Sequence, residues 1–396
     1  MRGLMMIRIL LVALFVMPAA AIAQTPDDIF ANETLQEIRL FIHSQDLREL
    51  RERYTEDIYF PADFLWRGTR VSNVGVRVRG LATRSAVKPG LRIDFDRYVE
   101  GQAFFGLRSL VLDNVLKDPS LMRERTSMAF IGRMGQPAPR ESFGRLYIND
   151  VYEGLYVFVE AVDADFLART LGDGSGYLFE HKFAGGFYGE YLGDDYEPYK
   201  LRFAAQTHRL ESDTMLYLPL RDLFYEVNQE VDGVWRDRVS RYIDLPQVVT
   251  HVAIETFLAE IDGFLGTAGM ANFYLYRPDN VGLHRLLAWD RDTTFQAVDS
   301  AIFARVQDNA LFRRALAFGD LRTLYLDTLA ECARVAAADR WLETEIVRAH
   351  LLIRDAVYED AAKPASNEEY ERAIAGLVSF AQQRSGLVAE AVATAR

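Results

Sequence analysis

The chain has 396 residues, half of them apolar, and a formal charge of −12. That length supports a large core in more than one layer or lobe, and so acidic a protein is a poor partner for nucleic acid, whose binding rests on counterion release to a cationic surface. The single cysteine, Cys332, excludes an internal disulfide and a cysteine-rich zinc site, and its apolar helical setting points to simple burial.

Arg2 and Arg8 supply positive charge ahead of an apolar run at 9–16, and Ala21-Ile22-Ala23 has the small-x-small pattern of a signal-peptidase site. The run falls short of the roughly 20 residues that a bilayer span needs. Residues 1–23 are therefore expected to be a leader removed on export to the periplasm or beyond, with no stable membrane insertion afterwards. An uncleaved anchor is the alternative. The absence of a cysteine at the cleavage point speaks against a lipoprotein.

The first strand is expected at 34–42, followed by a short helix at 47–54 capped by Asp46. Residues 58–66 and 71–79 read as a hairpin turning at Arg67-Gly68-Thr69, and 80–89 as a polar connection. Strands follow at 91–95 and 109–112. Asp118-Pro119 predicts a helix start, because Asp caps free N–H groups and Pro loses nothing in a first turn. Gly135 is its expected stop. A second hairpin spans 144–148 and 154–160, turning at Asn149-Asp150, and Asp163 opens a helix that ends near Gly172. Residues 172–199, rich in Gly and Tyr, read as irregular. Helical patterns cover 212–231, 234–242 and 246–260. Two strands interrupt them, one opening at Asn272 and one closing on Trp289-Asp290-Arg291-Asp292, and helices resume from Asp308. The plan is α+β and two-lobed, with a strand-rich part at 24–171 and a helix-rich part at 172–396.

The chemistry concentrates at 255–295. On a strand, Asp290 and Asp292 would share a face, and adjacent carboxylates repel unless a cation or proton lies between them. Hard oxygen donors of this kind suit magnesium or manganese, and Asn272 can add an amide oxygen. Asp262 precedes a glycine, so its carboxylate can project from a tight turn as a base orienting a hydroxyl must. Equally open is a structural reading, with Asp262 capping a turn and Asp290 in a core salt bridge.

Gly80, Arg84, Lys88 and Gly90, with Arg79 and Arg92, form a local basic cluster of the sort that cradles phosphate. An ordinary surface loop is the simpler account of it. Glu124 could hold a phosphate-binding lysine or be a solvated charge beside Arg123 and Arg125. Glu160 closes the apolar run 155–159 as a connector would. The six histidines form no HExxH pair, and there is no G-x-S-x-G elbow or Walker run.

Taken in order, these pieces resemble the CotH kinase family, named for a spore coat protein H. The resemblance runs through Val74-Gly75-Val76-Arg77-Val78-Arg79-Gly80, Lys88-Pro89 and Phe105-Gly106-Leu107. It continues in Asp118-Pro119-Ser120 with Met122-Arg123-Glu124, then Tyr147-Ile148-Asn149 and Glu153-Gly154-Leu155-Tyr156. Val159-Glu160-Ala161-Val162-Asp163, Asp262-Gly263, Asn272-Phe273-Tyr274-Leu275-Tyr276 and Trp289-Asp290-Arg291-Asp292-Thr293-Thr294-Phe295 complete it. The resemblance implies an atypical protein-kinase fold using ATP and magnesium or manganese to phosphorylate Ser or Thr of secreted or surface proteins. It implies Asp262 as the catalytic aspartate, and Asn272, Asp290 and Asp292 on the metal. Lys88 would contact phosphate with Glu124 as its partner, and Glu160 would lie in the interlobe connector near adenine.

Three departures stand out. Gly80-Leu81-Ala82-Thr83 replaces the family's Gly-Asn-x-Ser, Leu178-Phe179-Glu180 replaces its Leu-Tyr-Lys, and Arg291 stands where an apolar residue is commonest. The nucleotide side is altered more than the metal side. Two other readings follow from the same residues. One is a non-catalytic surface or adhesion protein on this scaffold, binding through Tyr188, Tyr191, Tyr196 and Tyr199. The other is a two-carboxylate glycosidase using Asp262 and Asp290.

Overall fold

The computed structural model describes residues 24–229 and 231–396, so the expected leader lies outside the described residues. A short helix α1 (Pro26–Ile29) leads into β1 (Gln36–Ile42), where every second residue is buried, as a strand with one face on a core requires. Helix α2 (Ser44–Glu52) begins before Asp46: the His43 ring accepts from the Gln45 N–H, making His43 the cap. β2 (Phe60–Trp66) and β3 (Thr69–Val78) form the expected hairpin. Arg67 and Gly68 turn it at φ 44° and 83°, the left-handed values a two-residue hairpin turn needs.

β4 (Leu91–Asp94) and β5 (Ser109–Asp113) follow. The helix expected from Asp118 starts later, as α3 (Arg123–Arg133). Leu121 at φ 55° breaks any earlier helix. The buried Asp118 carboxylate instead accepts from the N–H groups of Ser120, Met122 and Arg123 and organises a non-helical turn. β6 (Glu141–Ile148) and β7 (Val151–Glu160) pair across Asn149-Asp150 as read, and α4 (Ala164–Leu171) lies between its Asp163 cap and left-handed Gly172.

The region read as irregular contributes β8 (Tyr177–His181) and all but the last residue of α5 (Glu197–Lys200), and β9 (Phe203–Ala205) follows just beyond it. These strands gain partners only at long range, with Tyr274 opposite Glu180, which a local pattern does not announce. Helices α6 (Asp213–Asn228), α7 (Asp232–Val239) and α8 (Leu245–Phe257) precede β10 (Phe273–Arg277) and β11 (Arg285–Ala288). Helices α9 (Ala310–Ala315), α10 (Gly319–Ala337), α11 (Trp341–Glu359) and α12 (Asn367–Ala395) complete a mixed α+β chain. Among the described residues no helix is long and apolar enough to cross a membrane.

The first seven strands close into a barrel in the order β1-β2-β3-β4-β5-β7-β6, with β1 parallel to β6 and the other pairs antiparallel. β11-β10-β8-β9 form a separate antiparallel sheet. The barrel wall made by β5, β7 and β6 serves two cores. Leu110, Leu112, Tyr156 and Phe158 face the barrel interior with Phe64 and Trp66. The alternating residues Val111, Leu155, Val157 and Val159 face outward into the larger core shared with α3 and the later helices. The strand period thus places α3 between the barrel and the segment that follows β11.

Candidate active site

Two breaks in regular structure create the site. Helix α8 ends because Ala259 is left-handed (φ 52°), and Asn272, also left-handed (φ 55°), turns the chain into β10. The loop between them is shaped by acids behind it. Glu260 is buried and its Oε1 accepts from the N–H groups of Ile261 (2.8 Å) and Asp262 (2.7 Å) and from the Thr293 hydroxyl. Glu255 accepts from the Phe264 N–H at 2.9 Å. Gly263 passes so close that a Cβ there would lie 2.7 Å from Glu255 Oε2, so only glycine lets the loop sit on this carboxylate. Asn272 Nδ2 donates to the Asp262 carbonyl (2.9 Å) and carboxylate (3.1 Å), leaving its amide oxygen as an acceptor.

The second strand stops earlier than its sequence pattern indicates. β11 ends at Ala288, and Asp290 is left-handed at φ 52°. Asp290 and Asp292 therefore come together through a turn and not through the shared face of a strand. Burial, then Asp113, push the Asp290 carboxyl up to about 6 against the pull of Arg79 and Lys117. Burial, then Asp290 and Asp113, push Asp292 up to about 9, and its Oδ1 has no hydrogen-bond partner. Burial also raises Asp262, with Lys117 and Asn272 opposing the rise. Among the described residues no three His, Cys, Asp or Glu side chains form a ready-made cation cage. Two crowded carboxylates, Asp292 buried with an unpartnered oxygen and Asp290 partly buried, nevertheless fit a hard divalent cation that completes its shell with substrate oxygens and water.

Helix α3 and strand β5 close the site from the barrel side. Glu124 accepts from the backbone N–H of Arg291, between the two aspartates. Burial raises Glu124 far above the ordinary carboxyl range, followed by the effect of neighbouring Glu141, itself pushed up to about 8 by burial. Asp113, at the end of β5, accepts from Arg79 Nη1 at 2.7 Å and from the Val115 N–H at 2.8 Å. Asp113, Glu141 and Lys117 were not singled out from sequence. The signal for Asp113 is an acid closing an apolar strand, the same signal that marked Glu160.

A model of the CotH kinase protein family matches residues 76–388. The chain belongs to the CotH kinase family. It is similar to Inner spore coat protein H of Bacillus subtilis (strain 168), at 26% identity over 358 residues, covering 88% of this chain and 94% of that protein. A shorter likeness, 39% over 59 residues, links it to the Inner spore coat protein H-like protein of the same organism, over 15% of this chain and 19% of that one. Among solved structures, a Helicobacter pylori proinflammatory kinase, CtkA, aligns over 78% of this chain and 95% of its own at 10% identity. Its TM-score is 0.33.

The residues expected on the nucleotide side of this CotH-family chain are otherwise engaged. Lys88 does not meet Glu124. Its ammonium is 2.8 Å from Asp360 Oδ2, with side-chain exposures of 1% and 0%. Asp360 also accepts from the Leu155 N–H, and a Cβ on Gly154 would lie 2.5 Å from it, so the strand is built to admit this carboxylate. The rest of the basic cluster is paired too: Arg79 with Asp113, Arg84 with Asp57 and Arg92 with Asp94. Glu160 leaves β7 as expected, but its carboxylate is bound by Arg140 and Arg169. The departure at Arg291 has a structural explanation. Its guanidinium is fully buried and pairs with Glu255, beside His251.

Proposed function

We propose that this chain is an exported CotH-type atypical protein kinase that transfers the γ-phosphate of ATP to Ser or Thr of secreted or surface proteins. In this reading the strand-rich 24–171 and helix-rich 172–396 parts act as two kinase-like lobes, and a protein carrying an accessible hydroxyl is the partner. The observation that carries it is the meeting of Asp262, Asn272 and Asp290. They come from separate breaks in the chain, yet Asn272 binds Asp262 directly and Asp262 lies within the field acting on Asp290. Family membership supports the use of a nucleotide and metal. The leader-like sequence at 1–23 and the spore-coat name of a relative support export.

Asp262 is then the group that receives the proton of the acceptor hydroxyl. The acceptor oxygen forms the new O–P bond, the bond to the bridging oxygen breaks, and ADP leaves with that electron pair. Asn272, Asp290 and Asp292 would hold magnesium or manganese, which supplies charge neutralisation for the phosphate oxygens. Glu124 fixes the backbone between the two aspartates. Positioning and electrostatics are the main protein contributions to such a transfer.

The test is autophosphorylation by the purified mature protein with manganese or magnesium, read by mass spectrometry. Asp290→Ala is expected to abolish metal-dependent nucleotide binding, and Asp262→Asn to abolish transfer with binding retained. Absence of metal-dependent nucleotide binding in the wild type would sink the reading. A second reading, a non-catalytic surface protein, is favoured by one observation: Lys88 and Glu160 are both locked in ion pairs. It expects Asp262→Asn to leave function unchanged.

A further inference from the structure

The sequence contains five lysines. Lys88 is paired with Asp360, Lys182 with Glu180, and Lys200 with Glu197 and Asp213, while Lys363 donates to the Asp360 carbonyl. Lys117 has neither an ion pair nor a hydrogen bond from its ammonium among the described residues, and its side chain is exposed. It sits in the segment 114–122, between Asp113 of the site and helix α3.

The backbone carrying Lys117 is anchored on both sides. Upstream, Asn114 is buried and its Nδ2 donates to the carbonyls of Thr83 (2.9 Å) and Lys88 (2.8 Å). Downstream, Asp118 is fully buried and ties the turn to Ser120, Met122 and Arg123. A fixed stem therefore presents a free ammonium. Both ends of this segment meet the Asp290 turn: Asp113 holds Arg79, whose guanidinium lies 5.5 Å from the centre of the Trp289 ring, and Glu124 holds the Arg291 N–H. The Lys117 charge opposes the burial-driven rise of the Asp262, Asp290 and Asp292 carboxyls.

A nucleoside triphosphate bound at this site would meet Asp113, Asp262, Asp290 and Asp292, and a single metal ion would offset only part of that repulsion. Arg79 is already bound to Asp113, and Lys88 is sealed in the barrel wall. We propose that Lys117 contacts the phosphoryl group in transit, beside Asp262, and so takes the phosphate-binding role that the family resemblance implies for Lys88. This rests on the kinase reading. The contact lies at the terminal phosphate, on the acceptor side, so it distinguishes a nucleoside triphosphate from a diphosphate.

The experiment titrates ATP and ADP, each with manganese, into the mature wild type and the Lys117→Met and Lys117→Arg variants, and follows phosphotransfer alongside. A lost charge-assisted contact is expected to weaken ATP about tenfold or more in Lys117→Met. ADP affinity should stay within about threefold, transfer should fall, and Lys117→Arg should keep most of the ATP affinity. The melting temperature should not move, because the side chain is exposed and unpaired. Equal weakening of ATP and ADP, an unchanged Lys117→Met, or a Lys117→Arg as damaged as Lys117→Met would overturn the assignment. If the wild type binds neither nucleotide, the kinase reading itself falls and takes this inference with it.

Discussion

Replacing Arg291 by Met tests how the two halves of the site are joined. Glu255 is a buried carboxylate that burial alone would push up, yet Arg291 and then His251 hold it below the ordinary range. The same carboxylate accepts from the Phe264 N–H, two residues beyond Asp262. Removing the guanidinium leaves a buried charge without its main partner, a loss of about 3–5 kcal/mol. For a chain of this size that corresponds to a fall in Tm of roughly 4–6 °C. Met fills most of the vacated volume, so the effect reports charge more than cavity. Glu255→Gln in the same background removes the orphaned charge while keeping an acceptor for Phe264, and should recover much of the loss. Urea denaturation of the wild type, both single variants and the double variant gives the coupling, expected at about 2 kcal/mol or more. Activity of the double variant should stay below wild type, since Glu260, through the Asp262 N–H and the Thr293 hydroxyl, is then left to tie the Asp290–Asp292 turn to the Asp262 loop without the Arg291–Glu255 pair. A coupling within about 0.5 kcal/mol of zero would refute the pairing as a source of stability.

Two further outcomes follow from the buried charges. Asp292, Glu141 and Glu124 keep protons in the fold that the unfolded chain releases near the ordinary carboxyl value. At these three groups the native state then binds more protons than the unfolded one, so the stability they contribute is full in acid and is lost as pH rises toward the folded values. His181 and His284, pushed down to about 3 and about 4 by burial, act in the opposite sense, but only up to the ordinary imidazole value. Between about pH 6.5 and 8 the metal-free protein should therefore lose stability, by about 1.4 kcal/mol per pH unit for each proton retained. Chemical denaturation at several pH values reads this, and a rising stability across that window would contradict the protonated carboxyls. Separately, Lys88→Met should destabilise by about 3–5 kcal/mol, with partial recovery in Lys88→Met/Asp360→Asn. An unmoved Tm with a selective loss of ATP affinity would restore Lys88 to the phosphate.

Local signals were legible where one residue settles one turn. Asp163 and Gly172 bracket α4, and Asn149-Asp150 turns the β6–β7 hairpin. Asp118 misled because its side chain can satisfy a helix start or a compact turn with equal economy of atoms, and Leu121 decides between them. β8 and β9 were unreadable because their partners lie outside any local window. Of the site, the order of Asp262, Asn272 and Asp290 was legible, while the turn that joins Asp290 to Asp292 was not.

The sequence by itself determined the family, the α+β content and which acids and amide stand at the ends of apolar elements, because side-chain chemistry and short-range periodicity are written residue by residue. Only the tertiary structure decided how charges are shared out. Lys88 is paired across 272 positions with Asp360, and Glu124 across 167 with the backbone of Arg291. A buried charge takes whichever partner the packed core brings within reach, and that partner is set by long-range packing, not by spacing along the chain.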